Sequence, residues 1–263
     1  MVPLEFSRRS LVGVSSMQWH DVEARSIISV PEGEILSAVA LIRSASLREL
    51  RDEKFLREEF LLLLGLNDEV SREFPQALYP WCGKGIRSWQ YPIQFARYLT
   101  FLADRDIRSY VEIGCRFGGT FIIVVEYLRR FSDLYRASAL DINPTQIMME
   151  YAAMSPGVDY RLGDSASPEL RSYLGALAWD LAFIDGDHSY NGCRCDYESV
   201  RQRSKLIVFH DIVSDVCPGV IRVWDEICKV MPSTRLFEAV DQYKEVRTLT
   251  DSNFLGIGVV DFS

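Results

Sequence analysis

Residues Tyr110 to Thr120 read YVEIGCRFGGT, and this stretch decides the fold of the chain. Its opening residues, YVEI, predict the end of a buried parallel strand, and the glycines after them predict a turn. An apolar run over 121–125 then predicts a helix. A strand that ends at glycines and leads into a helix N-terminus leaves backbone N–H groups in a crevice. We therefore expect the turn to bind a small anionic or polar ligand.

The glycines of this turn are Gly114, Gly118 and Gly119, so their spacing is G-x-x-x-G-G. The dinucleotide fingerprint G-x-G-x-x-G is not met, which disfavours an NAD-dependent enzyme. Glycine lets a ligand approach the backbone closely and tolerates positive φ. Glu112 lies two positions before the first glycine. This arrangement resembles motif I of the class I S-adenosylmethionine (SAM) methyltransferases.

The composition is that of an ordinary, acidic globular protein. The 263 residues are 48% hydrophobic and 25% charged, which supports one sizeable core with an appendage, or two small domains. The net charge is −8 and the chain has no basic stripe, which excludes nucleic acid and anionic membrane surfaces as expected partners. The longest apolar run, 60–66, is too short to span a bilayer, and the N-terminal MVPLEFSRRS lacks the apolar centre of a signal peptide. We expect a cytoplasmic protein.

The cysteines are scattered and form no C-x-x-C pair, so the usual zinc and thioredoxin spacings are missing. They are expected to be ordinary free thiols. Their positions are Cys82, Cys115, Cys193, Cys195, Cys217 and Cys228.

Strand and helix patterns alternate in the second part of the chain. Strand candidates are 109–113, 137–141, 158–162, 180–184, 205–209, 235–240 and 254–260, and helix candidates are 120–131, 144–153, 167–175, 190–202 and 218–229. The alternation predicts an α/β fold, a Rossmann-like open and mostly parallel seven-stranded sheet with helices on both faces. The last two strands, with only a loop between them, are candidates for an antiparallel hairpin.

We expect the chain to divide into an N-terminal helical appendage or lid, 1–88, and a SAM-binding domain, 89–263. Apolar residues from Glu34 to Leu66 recur as in an amphipathic helix. Such helices pack either on the chain's own sheet or on a second subunit, so a homo-oligomer is left open.

The junction between the two parts has its own signals. The stretch 75–89 is rich in proline, glycine and aromatic residues and predicts a connecting loop or a lid. A helix is expected over 91–102, with Pro92 in its first turn. Trp89 and Tyr91 either close over the site or pack the appendage against the sheet.

Polar motifs follow the predicted strands at the points where these should stop. Glu112 ends the first strand; the later motifs are Asp141, 163–165, Asp185 and His210–Asp211. Because parallel strands place their C-termini at one edge of the sheet, we expect these residues to meet there.

Some of these acids are suited to bind particular groups of SAM. Asp141 can accept hydrogen bonds from both ribose hydroxyls or cap the helix at 144, and Asp164 can accept from the adenine amine or cap the helix at 167. Glu112 would hold the amino-acid end of SAM, and backbone N–H groups of the turn would bind its carboxylate. The predicted cofactor-binding residues are Glu112, Gly114, Cys115, Gly118, Thr120, Asp141, Ile142, Asp164, Ser165 and Asp185.

Further motifs sharpen the resemblance. FIDGDHSYNG at 183–192, followed by Asp196, VFHDI, GVIRVW and GIGVV, is similar to the branch of class I methyltransferases that contains cephalosporin-hydroxylase-like proteins and macrolide-sugar O-methyltransferases (methyltransferase family 24 type). The resemblance extends from Trp89 to Val260.

In metal-dependent members of this branch, the resemblance implies that Asp185 binds a divalent cation and that His188 acts as the base. The other implied ligands are His210 and Asp211, and His210 stands where the better-known sugar methyltransferases have glutamate. Mg²⁺ prefers oxygen ligands, so an imidazole favours Mn²⁺, Fe²⁺ or Zn²⁺, and the metal stays open among these four ions. Successive strand residues face opposite ways, so His210 and Asp211 share an ion only if the strand has ended. The third histidine, His20, is expected to have no role.

The resemblance thus implies a SAM-dependent O-methyltransferase that acts on a hydroxyl of a small molecule, such as a sugar or a secondary metabolite. A cation at Asp185 and Asp211 would lower the pKa of the hydroxyl, and His188 would take its proton. Two alternatives stay open: a metal-dependent oxygenation component like the cephalosporin-hydroxylase-like proteins, and a non-catalytic SAM-binding module. No pattern identifies the acceptor.

Overall fold

The computed structural model describes residues 32–263. The prediction for His20 and the first part of the predicted appendage lie outside these residues. The strands are β1 (Ser109–Ile113), β2 (Arg136–Asp141), β3 (Val158–Leu162), β4 (Trp179–Ile184), β5 (Ser204–His210), β6 (Leu236–Ala239) and β7 (Ile257–Asp261). The α-helices are α1 (Glu32–Ser44), α2 (Leu47–Leu50), α3 (Glu53–Phe55), α4 (Leu61–Leu64), α5 (Pro92–Leu102), α6 (Gly119–Phe131), α7 (Gln146–Met154), α8 (Pro168–Ala176), α9 (Tyr190–Val200), α10 (Pro218–Cys228) and α11 (Lys244–Thr250). A π-helical turn spans Leu56–Phe60, and 3₁₀ turns span Ser71–Glu73, Gln76–Trp81 and Ser233–Arg235.

The strands form one seven-stranded sheet in the order β3-β2-β1-β4-β5-β7-β6. The strands β1 to β5 pair in parallel, and β7 pairs antiparallel with both β5 and β6. The predicted fold is therefore confirmed, including the antiparallel pairing of the last two strands. The expectation of a bare loop between them is wrong, because α11 lies there and buries Val246 against Phe254 and Leu255.

Hydrophobic layers cover both faces of the sheet. The central strand β1 is buried at every position, as the continuous apolar pattern of a parallel core strand requires. On one face α5, α6 and α7 pack against the sheet and α1 packs on α6 and α7, and on the other face α8, α9 and α10 pack against the sheet. The N-terminal half of α6 is buried all round, which fixes the position of the glycine turn that precedes it.

The predicted helix over 34–66 is broken into short pieces. The Ser46 hydroxyl accepts from the Glu49 backbone N–H in a capping box, and the Asp52 carboxylate, the N-cap of α3, accepts from the Lys54 and Phe55 backbone N–H groups. The segment ends at Gly65, whose φ is +89°. Helical periodicity was the stronger sequence signal, but these polar side chains start new helices inside it.

These short helices pack on the chain's own sheet domain. The Tyr127 hydroxyl of α6 donates to the Leu50 carbonyl at 2.7 Å. Arg43 of α1 forms an ion pair at 2.7 Å with Glu126, whose side chain is fully buried. The helices α1 and α2 and the π-helical turn therefore share one hydrophobic core with α5 and α6, whereas Leu66, Phe74 and Leu78 belong to a second cluster with Phe254 and Leu255.

Across residues 32–263, no helix combines the length and the apolar character needed to cross a membrane.

Candidate functional site at the carboxyl edge of the sheet

The glycine turn between β1 and α6 packs tightly against neighbouring groups. Gly114 has a φ of +83°, and a Cβ there would overlap the carbonyl oxygen of Asp185. Gly118, the residue before α6, has a φ of +81°, and a Cβ there would overlap the sulfur of Met148. Both glycines are thus required by protein contacts as well as by backbone conformation.

The described part of the appendage, residues 32–88, which we call the N-terminal segment, lies directly against this turn. A Cβ on Gly119 would overlap the Ile86 carbonyl oxygen. Arg116, which has a φ of +44°, forms an ion pair at 2.6 Å with Glu69, and its guanidinium lies 5.3 Å from the centre of the Trp89 ring. Residues of the N-terminal segment therefore border the predicted cofactor turn.

Asp141 joins the end of β2 to the same turn. Its carboxylate accepts from the Arg116 backbone N–H at 2.7 Å and from the Asn143 backbone N–H at 2.8 Å. The N-cap position of α7 belongs to Thr145, so the capping alternative for Asp141 is wrong. Burial raises the pKa of Asp141, and the two backbone donors oppose the rise. The neighbouring Ile142 is largely exposed.

Glu112 lies beneath the turn rather than at its surface. Its carboxyl accepts a hydrogen bond from the Tyr110 hydroxyl, and burial raises the pKa of Glu112 well above its usual range. Cys115 and Thr120 are also buried, and the Thr120 hydroxyl lies 3.4 Å from the Gln90 amide nitrogen. The cofactor role of these residues stays a prediction.

The end of β3 carries a turn that leads into α8. Asp164 accepts from the Ala166 backbone N–H at 2.8 Å, whereas Ser167 is the N-cap of α8. Asp164 therefore does not cap the helix. Behind this turn lies the buried Asp196 of α9, whose role the sequence left undefined. Burial raises the pKa of Asp196 to about 7, and the nearby Ser165 hydroxyl opposes the rise.

Two acids and two histidines meet where β4 and β5 end. Asp185 Oδ1 lies 3.2 Å from His188 Nε2 and 3.1 Å from His210 Nδ1. Asp211 Oδ2 lies 3.6 Å from each of the same two nitrogens. The predicted base and the predicted metal ligands are thus brought into one group, which we call the acid–histidine cluster.

The backbone at Asp211 explains how two neighbouring residues face the same space. The strand β5 ends at His210, and Asp211 adopts a left-handed conformation with a φ of +61°. Had the strand continued, the two side chains would point to opposite faces of the sheet. The condition set by the sequence for a shared ion, that the strand has ended, is therefore met.

Opposite charges dominate the electrostatics of the cluster. Burial works to raise the pKa of Asp185 and of Asp211, but the adjacent His210 and His188 outweigh it and lower both pKa values. Conversely, burial works to lower the pKa of each histidine, but the carboxylates hold both pKa values well above their usual range. The cluster is therefore charged and internally paired.

Cys217, just before α10, belongs to this site and was missed by sequence reasoning. Its Sγ lies 3.3 Å from Asp211 Oδ2 and 3.4 Å from His188 Nδ1. Burial raises the pKa of Cys217 to about 11. The C-x-x-C spacing does not indicate it, because Cys217 is six residues from Asp211 and 29 residues from His188 and meets both only in the folded chain.

Glu73 of the N-terminal segment also approaches the cluster. Its carboxylate accepts from Trp89 Nε1 at 3.0 Å. Burial raises the pKa of Glu73 to about 7, and the charges of Asp211 and His210 are near enough to influence it. The segment thus brings an acid to the edge of the site that no motif indicated.

Residues 111–212 match the family model described as a methyltransferase domain. Among curated proteins, none matches the sequence.

Solved structures similar to this chain include the O-methyltransferase TomG from Streptomyces achromogenes, which is involved in tomaymycin synthesis and was solved in complex with SAM. TomG is 15% identical, the match covers 78% of this chain and 94% of TomG, and the TM-score is 0.50. The MycE methyltransferase of the mycinamycin biosynthetic pathway was solved in complex with Mg, SAH and mycinamycin VI. MycE is 14% identical, the match covers 74% of this chain and 53% of MycE, and the TM-score is 0.44. At this identity, the likeness to TomG shows the fold.

Proposed function

We propose, from the match of residues 111–212 to a methyltransferase domain, that the protein transfers the methyl group of SAM to a hydroxyl oxygen of a small molecule. A sugar or a secondary metabolite is the expected kind of acceptor. The observation that carries this proposal is the direct contact between the glycine turn and the acid–histidine cluster. Gly114 packs on the backbone of Asp185, so a cofactor at the turn and a hydroxyl at the cluster would be neighbours.

The cofactor half of the reaction needs groups that hold SAM in one orientation. Both oxygens of Asp141 already accept backbone hydrogen bonds, and a carboxylate has lone pairs left for two ribose hydroxyls. The backbone N–H groups at the start of α6 would attract the carboxylate of SAM. Asp164 and Ser165 lie at the end of β3, where the adenine amine would need an acceptor.

The acceptor half needs a base, because a hydroxyl is a poor nucleophile until it loses its proton. Neutral His188 would take that proton, and Asp185 orients its imidazole through the 3.2 Å hydrogen bond. Glu73 of the N-terminal segment, together with Trp89, which donates a hydrogen bond to it, would border the same space and help to exclude water. In-line attack of the hydroxyl oxygen on the methyl carbon then breaks the bond to the sulfonium.

A divalent cation fits the donor set of Asp185, His210 and Asp211, whose ligand atoms lie within 4.8 Å of one another. The imidazole favours Mn²⁺, Fe²⁺ or Zn²⁺ over Mg²⁺. Held there, such an ion would offset the carboxylate charges that raise the pKa of His188 and would polarise the acceptor hydroxyl.

The proposal is tested first by the binding of SAM and then by the transfer of its methyl group. We expect SAM and its demethylated product, but not NAD, to raise the melting temperature, and Asp141→Ala to weaken this shift. Asp133→Ala, an exposed acid beyond α6, is the matched control and should leave the shift unchanged. Transfer of labelled methyl from SAM to a panel of hydroxylated small molecules would then identify the acceptor. A melting temperature that neither SAM nor its demethylated product changes would overturn the proposal.

A further inference from the structure

A second group of potential metal ligands lies beside the predicted one. His188, Asp211 and Cys217 offer one ligand atom each within 4.8 Å of one another. Cys217 Sγ is 3.3 Å from Asp211 Oδ2 and 3.4 Å from His188 Nδ1, and Asp211 Oδ2 is 3.6 Å from His188 Nε2. We call these three residues the thiol triad.

The two separations that involve the sulfur are those of donors that share one ion. A zinc ion binds sulfur at about 2.3 Å and nitrogen or oxygen at about 2.0–2.2 Å, so tetrahedral ligands lie roughly 3.3–3.6 Å apart. Cys217 Sγ already has this spacing from Asp211 Oδ2 and from His188 Nδ1, whereas the 3.6 Å distance from Asp211 Oδ2 belongs to the other ring nitrogen, Nε2. One ligand atom from each residue lies within 4.8 Å of the others, so the Asp211–His188 pair is the one that adjusts when an ion binds. Cys217 and Asp211 are almost completely buried, which holds them in place.

The donor chemistry separates the triad from the neighbouring group. Asp185, His210 and Asp211 provide two carboxylates and an imidazole, whereas the triad replaces one carboxylate by a thiol. Thiolate ligands select zinc and other thiophilic ions and are poor ligands for Mg²⁺. The two groups have only Asp211 in common.

We propose that His188, Asp211 and Cys217 form a binding site for a thiophilic divalent ion of the zinc class, distinct from the site at Asp185 and His210. Binding converts the Cys217 thiol to a thiolate, and its proton passes to solvent. The ion engages His188, so on the proposed function it blocks the base and inhibits methyl transfer. Only this last consequence rests on the proposed function; the binding itself does not.

The experiment uses Co²⁺ as a spectroscopic probe for zinc in the full chain, freed of metal by chelation. Thiolate coordination gives an intense sulfur-to-cobalt charge-transfer absorption in the near ultraviolet, which oxygen and nitrogen ligands do not give. We expect this absorption to grow to one equivalent and to disappear when Zn²⁺ is added. Mg²⁺ should not displace the cobalt.

Three variants and one control assign the absorption. Cys217→Ser should abolish it, and His188→Gln should weaken Co²⁺ binding by more than the roughly 10–100-fold that loss of an outer-shell partner costs. Asp185→Asn removes a charged ligand of the neighbouring group but keeps an oxygen that can accept the hydrogen bond from His188, so it should keep the absorption. Cys228→Ser, at the other end of α10, is the matched cysteine control and should also keep it.

Thermal unfolding of each metal-free variant shows whether it is folded, and His188→Gln tests the triad even if Cys217→Ser is unstable. The proposal is overturned if bound cobalt lacks the charge-transfer absorption, if the absorption survives in Cys217→Ser, or if Asp185→Asn removes it. Failure of SAM to bind would leave these results unaffected, so the two proposals fail separately.

Discussion

The glycine turn and the acid–histidine cluster are in contact, but each is stabilised by a different kind of interaction. In the turn, backbone packs against backbone and side chains are absent where space is needed, as at Gly114. In the cluster, ionisable side chains share a buried space, and each charge persists because an opposite charge faces it.

This difference separates the residues that the fold requires from those that the reaction requires. The turn is explained by packing alone, so a protein with this fold would need its glycines whatever reaction it catalyses. The cluster has no such structural reason, because buried ion pairs, even well-paired ones, usually stabilise a fold no more than apolar residues of similar volume do. The residues specific to the chemistry should therefore be sought in the cluster, and each prediction below tests one side of this contrast.

The largest effect is expected from Gly114→Ala. The new Cβ would overlap the Asp185 carbonyl oxygen, and alanine would have to adopt a φ of +83°. Overpacking and left-handed strain together should lower the free energy of unfolding by about 3–5 kcal/mol. Urea denaturation followed by circular dichroism measures this loss.

Gly175→Ala in α8 is the control for that substitution. A Cβ there would make an ordinary contact of 3.6 Å with the Ser199 carbonyl oxygen, so the change should stabilise the protein slightly, by under about 1 kcal/mol. Equal stability of the two variants would show that the turn is not held by packing.

Asp185→Asn tests the cluster. Asparagine keeps the shape and one acceptor oxygen but removes the charge, and the two histidines can deprotonate in response, so the fold should survive. We expect kcat/KM for methyl transfer to fall about 100–1000-fold, since the base loses the group that orients it. The assay is transfer of labelled methyl from SAM, with circular dichroism to check the fold.

Asp187→Asn provides the comparison within the same loop. Asp187 accepts from the Ser189 backbone N–H at 2.8 Å and does not enter the cluster, so its loss should change kcat/KM only a few-fold. If both variants lost activity equally, the loop as a whole, rather than the cluster, would be the active element.

The sequence predicted the topology-dependent features of this molecule well. Asp185 and His210–Asp211 were expected to converge because parallel strands end at one edge, and the structure brings them within hydrogen-bonding distance. The predicted methyltransferase resemblance is confirmed by the family match over residues 111–212. These predictions needed only strand order and polarity, which hydrophobic patterns encode.

Contacts between distant loops were not predictable in this way. Cys217 and Glu73 reach the cluster from segments whose paths follow from packing, not from any local pattern. The start of α2 is a different case, because there a local signal, the Ser46–Glu49 capping box, overrides a longer helical period. Hydrophobic periodicity alone therefore predicted neither the helix start, which a local polar cap determines, nor the positions of Cys217 and Glu73, which long-range packing determines.

Asp196→Asn isolates a buried acid that has no histidine partner among residues 32–263. Burial raises the pKa of Asp196 to about 7, so the folded state binds its proton more tightly than the unfolded state does. The contribution of this group to stability is therefore greatest below pH ~4 and is lost as the pH rises to about 7. Asparagine does not ionise, so the stability of Asp196→Asn does not decrease in this way as the pH rises.

The free energy of unfolding of the variant relative to the wild type should therefore increase between pH ~4 and ~7 and then level off. The full shift would give about 4 kcal/mol, and we expect about 2 kcal/mol because local rearrangement relieves part of the burial. Denaturation at pH ~4.5 and pH ~8 measures it. A difference that is independent of pH would show that Asp196 ionises normally.

The smallest effect is expected at the contact between the N-terminal segment and the turn. Arg116 and Glu69 form an ion pair at 2.6 Å, but the Arg116 side chain is 39% exposed, so solvent screens the attraction. Glu69→Gln should therefore lower the free energy of unfolding by only about 0.2–1 kcal/mol, and added salt should reduce the difference. Glu58→Gln, in an exposed pair with Arg57, is the control and should have an effect near zero. A loss above about 2 kcal/mol that disappears in salt would mean that charge, and not backbone packing, holds the turn, and the contrast with the acid–histidine cluster would no longer stand.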